Sequence, residues 1–305
     1  MEGILPLFKP AGMTSHDCVF KLRKLLRTKK VGHTGTLDPD VTGVLPICVG
    51  KATKIAEYIT DAGKAYEGEV SLGYTTTTED ASGEKVEEKS VDRVITRREI
   101  IEVLESFIGQ IEQTPPMYSA VKVNGKKLYE YARQGIEVER PTRKVTISSI
   151  ELLDDRDEFE GETVSFKFRV SCSKGTYIRT LAVMIGEKLG YPAHMSSLVR
   201  IQSAEFTLED CFTFEQLETM AEDCSIQKAL HPLEVGISYL PKYRINDTVA
   251  EKVKNGALLE IPQNLSGNGG PIVVETDDGI ALAIYREHPT KNGLMKPDKV
   301  LRNDQ

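Results

Sequence analysis

No tryptophan occurs in the 305-residue chain, and no apolar run approaches the roughly 18 residues of a membrane-spanning helix. The N-terminal MEGILPLFKP has no basic stretch leading into an apolar segment of signal-peptide length. A soluble, cytoplasmic protein with no membrane partner is therefore expected. Cysteine is sparse: Cys18, Cys48, Cys172, Cys211 and Cys224 are odd in number and include no C-x-x-C pair. That argues against both a zinc knuckle and a disulfide framework, so no metal is expected. Positive charge is also short overall, since 46 acidic residues outweigh 39 basic ones and leave a formal net charge of -7. Internal repeats and low-complexity tracts are absent as well. The length itself predicts two domains with cores that need no staples.

The sum of charges says less than their distribution, because phosphate binding depends on where cations gather. Residues 21–30 hold six basic side chains, Lys21, Arg23, Lys24, Arg27, Lys29 and Lys30, and no acidic one. Residues 122–144 hold seven basic against three acidic, among them Lys122, Lys126, Lys127, Arg133 and Arg143. Tyr118, Tyr129 and Tyr131 alternate with these cations, a mixture suited to holding backbone phosphate while offering rings to bases. Acids gather instead in ELLDDRDEFEGE at 151–162 and around 205–223. Such segregation fits RNA held on one face and repelled elsewhere, although each cluster alone fits a solvated face equally well.

Periodicity predicts the elements. Val19, Leu22, Leu25 and Leu26 mark a helix capped by Thr14 or Ser15, with Asp17 in its first turn. A short helix is expected over 52–59, and a strand from Tyr66 that ends in the polar turn EDASGE. Ile100, Ile101, Leu104 and Phe107 form the apolar stripe of a helix over 96–107, after which Pro115-Pro116 forces an extended segment. Residues 163–172 alternate cleanly as a half-buried strand, and Ser173-Lys174-Gly175 turns into a helix carrying Ile178, Leu181, Ile185 and Leu189. Near the C-terminus IVVETDDGIALAIY reads as a hairpin turning at 277–279. Hairpin-like strands without strict strand-helix alternation predict an α+β fold, mixed, on a mainly antiparallel sheet with flanking helices.

The stretch VGHTGTLDPDVTGVLPICVGKATK, residues 31–54, organises the rest. Gly32, Gly35, Gly43 and Gly50 interrupt it, letting the backbone turn sharply and approach a ligand, so it is expected to be a site rather than a scaffold. Asp38 stands between Leu37 and Pro39, and the proline restrains its backbone. Taken by itself this is an Asp-Pro turn whose carboxylate accepts a local amide hydrogen.

Five segments in order resemble the TruB family of tRNA pseudouridine synthases: KPAGMTS from Lys9, GHTGTLDPDVTGVLPICVG from Gly32, Lys64-Ala65-Tyr66, TPPMYSAVKVNGKKLYEYARQGI from Thr114, and KGTYIRTL from Lys174. The resemblance implies a pseudouridine synthase fold over residues 1–240, with an RNA-gripping insertion at about 115–144. Residues 241–305 resemble more loosely a small β-rich PUA-like RNA-binding domain. Asp38 matches the essential aspartate, Tyr66 the active-site tyrosine and Arg179 the catalytic arginine. The resemblance also implies that His33 occupies the gap left in the RNA and that Leu198 contacts the flipped base; from the residues themselves, Lys9 could brace the site from below or simply sit in a loop, and Tyr177 could help floor it or pack in the core. The implied substrate is uridine 55 in the T arm of tRNA, recognised without a guide RNA or protein partner by a monomer with no cofactor.

The chemistry breaks the glycosidic bond, turns the uracil, and joins C5 to C1' of the same ribose. One carboxylate can do this through a covalent intermediate; attack at C1' and attack at C6 are both open. Asp38 must stay ionised when substrate excludes water, and an ion pair with Arg179 would oppose the upward pull of desolvation. Rival readings fare worse. A P-loop would need glycine at 45 and Ser or Thr at 52, where Leu45 and Ala52 stand. Asp38 and Asp40, two apart, need not converge on one glycosidic bond. A non-catalytic tRNA-binding or folding protein would use the same basic surface.

Overall fold

The structure is a computed structural model and describes residues 1–267 and 269–303. Two compact units divide the chain: the first takes Met1–Asp40, Val44–Thr60 and the chain from Ala204 onward, the second Val41–Gly43 and Asp61–Ser203.

In the first unit, strand β1 (Gly3–Lys9) leads into helix α1 (Ser15–Leu25). Thr14 is the cap, and a reciprocal pair of bonds with Asp17 satisfies the exposed amides of the first turn. Strand β2 (Val31–His33) pairs antiparallel with β3 (Thr42–Val49), His33 opposite Ile47. This corrects the reading of residues 31–54 as a site alone. Thr42–Val49 is a strand buried from Gly43 on, and Gly50–Ile55 forms a 3-10 helix, so only residues 34–41 are loop. The apolar run GVLPICV carries no polar alternation because both its faces are covered, and the glycines around it hid that signal.

The second unit is an antiparallel sheet. Its main elements are β4 (Lys64–Leu72), helix α2 (Arg97–Glu105), β5 (Gly109–Gln113), helix α3 (Leu128–Arg133), β6 (Arg143–Leu152), β7 (Val164–Cys172), helix α4 (Ile178–Leu189) and β8 (Ala193–Ser203), with shorter strands between them. Strand order is β8-β4-β7-β6-β5, and Thr42 and Gly43 add a short parallel pairing to Val199 and Arg200. Gly43 has φ +109°, and a β-carbon there would stand 2.2 Å from the Arg200 carbonyl oxygen. The glycine thus serves a close approach of two backbones. Helix α4 packs on β8 and β4, and α2 on β6. Both helices and the alternation of β7 fall where periodicity predicts them. Strand β8 was not expected, because its register shifts at Met195/Ser197 and at Arg200/Gln202, and each shift breaks the two-residue period.

The C-terminal part of the first unit holds β9 (Lys242–Ile245), helix α5 (Asp247–Lys254), β10 (Leu259–Glu260), β11 (Ile272–Thr276), β12 (Ala281–Glu287) and β13 (Leu294–Val300). They form a five-stranded sheet in the order β9-β11-β12-β13-β10, with the expected turn between β11 and β12. Ile272 and Val274 face a core with Ile245, Val253, Tyr285 and Met295. Val273, Ala281 and Ile284 face a second core with Ile4, Val44, Ile55, Tyr58 and Leu233. Both faces are buried, as its continuous apolar runs require. Mixed, mainly antiparallel sheets with flanking helices agree with the expected fold class. Among the described residues, no helix is long and apolar enough to cross a membrane.

Candidate active site

Asp38 lies in the 34–41 loop of the first unit, and the chain on both sides of it is tied down. Ser15, at the first position of α1 and 1% exposed, accepts a hydrogen bond from the Leu37 amide at 2.8 Å and donates one to the Leu37 carbonyl at 3.2 Å. On the other side Lys9, at the end of β1, is fully buried. Its Nζ donates to the carbonyls of Pro10 and Pro39, both at 2.8 Å, and the Gly12 amide donates to Pro39 O at 3.0 Å. A buried ammonium demands such partners, and through them Lys9 ties β1 to the loop at Pro39. The Asp38 side chain is half-exposed. The backbone on both sides of it is thereby over-determined. His33 on β2 is half-buried, and buried Thr34 beside it donates both its amide and its hydroxyl to Pro46 O.

In the second unit Tyr66 is the third residue of β4, with 8% exposure. It stands opposite Arg200 on β8, while Gly68 stands opposite Leu198. Residues two apart share a face, so the register brings Tyr66 and Leu198 together on one side of the sheet. Gly68 makes room: a β-carbon there would lie 3.1 Å from Leu198 Cδ1 and from the Phe168 ring. Beside Tyr66 in sequence, Lys64 is 9% exposed, and burial, helped by the Arg200 charge, pulls its ammonium down to about 8.

Arg179 is the second residue of α4 and is buried. Its Nη1 donates to Thr78 O at 3.0 Å, its Nη2 to Tyr118 O at 2.9 Å, and Asp80 Oδ2 lies 3.7 Å from Nη1. A cation at a helix N-terminus opposes the dipole, and two carbonyls and this carboxylate offset that. Asp80 Oδ1 meanwhile accepts from the Thr78 hydroxyl and from the amide and hydroxyl of Ser82, which holds the loop's shape. Sequence reasoning missed Asp80, since EDASGE reads simply as a polar turn. It also missed Gln113 at the end of β5. That side chain is 2% exposed, accepts from the Tyr177 amide at 3.0 Å and donates to the Tyr177 carbonyl at 3.3 Å. Half-exposed Tyr177 is thus fixed at the N-cap of α4.

The insertion holds a minimal hairpin, Lys122 opposite Lys127 and Val123 opposite Lys126, followed by α3. Asn124 and Gly125, with φ +50° and +84°, make its turn. Lys122, Lys126, Arg133 and Arg143 are exposed, and Lys127 is half-buried. The cations use the tyrosines as platforms: Lys127 and Arg133 lie 5.4 and 5.3 Å from the Tyr129 ring, and Lys126 lies 5.9 Å from Tyr131.

Two family models match the chain. "TruB family pseudouridylate synthase (N terminal domain)" covers residues 23–178, and "tRNA pseudouridylate synthase B C-terminal domain" covers residues 179–238. A protein of Geobacillus thermodenitrificans named tRNA pseudouridine synthase B is 63% identical over 302 residues, 99% of this chain and all of that protein. One of the same name from Bacillus subtilis is 60% identical over 303 residues, 99% of this chain and 98% of that protein. Among solved structures, a chain of a Cbf5-Nop10-Gar1 complex is similar with a TM-score of 0.77 and 31% identity, over 99% of this chain and 85% of that one. The pinned aspartate loop, the buried arginine at the head of α4 and the tyrosine on β4 occupy the segments on which the sequence likeness rested. With identity at this level along the whole chain, the protein belongs to the TruB family of pseudouridylate synthases, and is an isomerase.

Proposed function

We propose that the chain converts uridine 55 in the T arm of tRNA to pseudouridine, acting alone as a monomer without guide RNA, cofactor or membrane. The observation that carries the substrate is the 63% identity, over 99% of the chain, to a protein named tRNA pseudouridine synthase B. Asp38 is the nucleophile in this reading, and the loop held by Ser15 and Lys9 supports it by fixing the carboxylate's backbone before substrate arrives. Tyr66 stacks on the flipped base, with its hydroxyl available for proton transfer, and Arg179 is the catalytic cation. Flipping the base out costs a few kcal/mol of stacking, and a ring returns roughly 1–3 kcal/mol of it. Lys122, Lys126, Lys127, Arg133 and Arg143 supply phosphate contacts for the remainder. His33 fills the gap in the RNA, and Leu198 and Tyr177 line the base's surroundings, with Lys9 bracing beneath.

Residues 1–240 form the catalytic domain in this reading and 241–305 a PUA-like RNA-binding domain. What supports the latter is the five-stranded sheet within 242–300, with an apolar core of its own. The test is tritium release from a tRNA transcript labelled at uridine C5, by the purified chain and by Asp38→Asn. Release by the wild type at position 55, with none from a variant that still binds tRNA, is expected. Tight binding by both and release by neither would leave a tRNA-binding protein, or an enzyme that needs partners.

A further inference from the structure

The loop 77–83 and the first turn of α4 meet residue against residue. Thr78 O and Asp80 Oδ2 both face Arg179 Nη1, at 3.0 and 3.7 Å. Between them, Glu79 Oε2 accepts the hydroxyl of Thr180, the next residue of the helix, at 2.7 Å. The Glu79 backbone is engaged as well, its amide donating to Thr76 O at 3.2 Å and its carbonyl accepting from the Met195 amide of β8 at 3.0 Å. Its φ is +63°, a left-handed conformation that glycine adopts freely and other residues at a cost. A turn needing only that backbone shape would be better served by glycine. The residue present carries a half-buried carboxylate. Burial raises its pKa, and the Thr180 hydroxyl and the Arg179 guanidinium pull it back. A strained backbone that persists beside a functional side chain marks a role for the residue that bears it.

We propose that Glu79 is a positioning residue: by holding Thr180 it fixes the first turn of α4, and so sets the Arg179 guanidinium between Thr78 and Asp80. The proposal rests on the reading that Arg179 acts in turnover. Its test compares Glu79→Gly, Glu79→Gln and Thr180→Val, with Arg179→Ala as reference, in the full chain on a tRNA transcript, measuring kcat, KM and Tm. One hydrogen bond is at stake, so Glu79→Gly and Thr180→Val should each lower kcat by up to about 10-fold with KM within about twofold. Glu79→Gly should melt close to wild type, because relief of the left-handed backbone offsets the lost Thr180 hydrogen bond. Glu79→Gln should stay within about twofold of wild type, since its amide oxygen still accepts the Thr180 hydroxyl. Wild-type kcat in Glu79→Gly, or a Glu79→Gln as impaired as Glu79→Gly, would overturn the proposal. An Arg179→Ala with wild-type kcat would overturn the reading beneath it; an impaired Arg179→Ala beside unimpaired Glu79→Gly and Thr180→Val would overturn the role of Glu79 alone.

Discussion

Replacing Ser15 with alanine tests whether the Asp38 loop is held in the way the structure indicates. The hydroxyl is buried and makes two hydrogen bonds to Leu37, 22 residues away. Helix α1 should not suffer, since Thr14 and Asp17 keep the cap and alanine is the better helix former by about 0.5 kcal/mol. The loss falls on the Leu37 amide, and leaving such a buried donor unpaired costs about 1–3 kcal/mol. The net expectation is a destabilisation of about 1–2 kcal/mol, read as a lower urea midpoint at unchanged slope. Activity should fall further than stability does. A displacement of about 1 Å at a reacting group costs up to about 100-fold in rate, so kcat should drop well over tenfold while tRNA affinity holds. A variant with the wild-type midpoint and wild-type kcat would refute the idea that Ser15 presents Asp38.

Lys64 sets a pH dependence. Its ammonium titrates near 8 in the folded chain against 10.5 when unfolded, so between those values the unfolded chain binds more protons and stability rises with pH. The full penalty, on the order of 3 kcal/mol, is felt below pH 8. Lys64→Met should therefore be more stable at pH 7 and lose the slope between pH 8 and 10.5; an unchanged slope in denaturation curves would count against it. Gly43→Ala places a β-carbon 2.2 Å from Arg200 O at φ +109°, and should cost at least about 3 kcal/mol or abolish soluble expression. Normal folding of that variant would mean the two strands part easily. The insertion's two-pair hairpin and six-residue helix are too short to be stable alone. Amides over 118–144 should exchange rapidly in the free chain and slow on tRNA binding, and full protection without RNA would contradict this.

Much of the fold was legible because its signals are local. The cap at Thr14, the helix over Arg97–Glu105, the alternation of Val164–Cys172 and the turn between β11 and β12 each depend on residues a few positions apart. Asp38, Tyr66 and Arg179 were named through motifs that keep their order along the chain. Several strands were not read from the sequence, among them Gly3–Lys9, Gly109–Gln113 and Arg143–Leu152, and for two others the physical reason is plain. Register shifts erased the period of β8, and burial on both faces made β3 resemble the glycine-rich loop beside it.

The sequence by itself determined the locally signalled helices and strands and named the side chains proposed to carry the chemistry, since caps, periods and motifs are written over short spans. Only the tertiary structure decided what holds those side chains. Lys9 reaches Pro39 across 30 residues and Gln113 reaches Tyr177 across 64. Arg179 and Thr180 meet Thr78 and Glu79 across 101. Such partners are set by strand register and helix packing, which bring distant residues together, and no local pattern in the chain records which of its polar residues those will be.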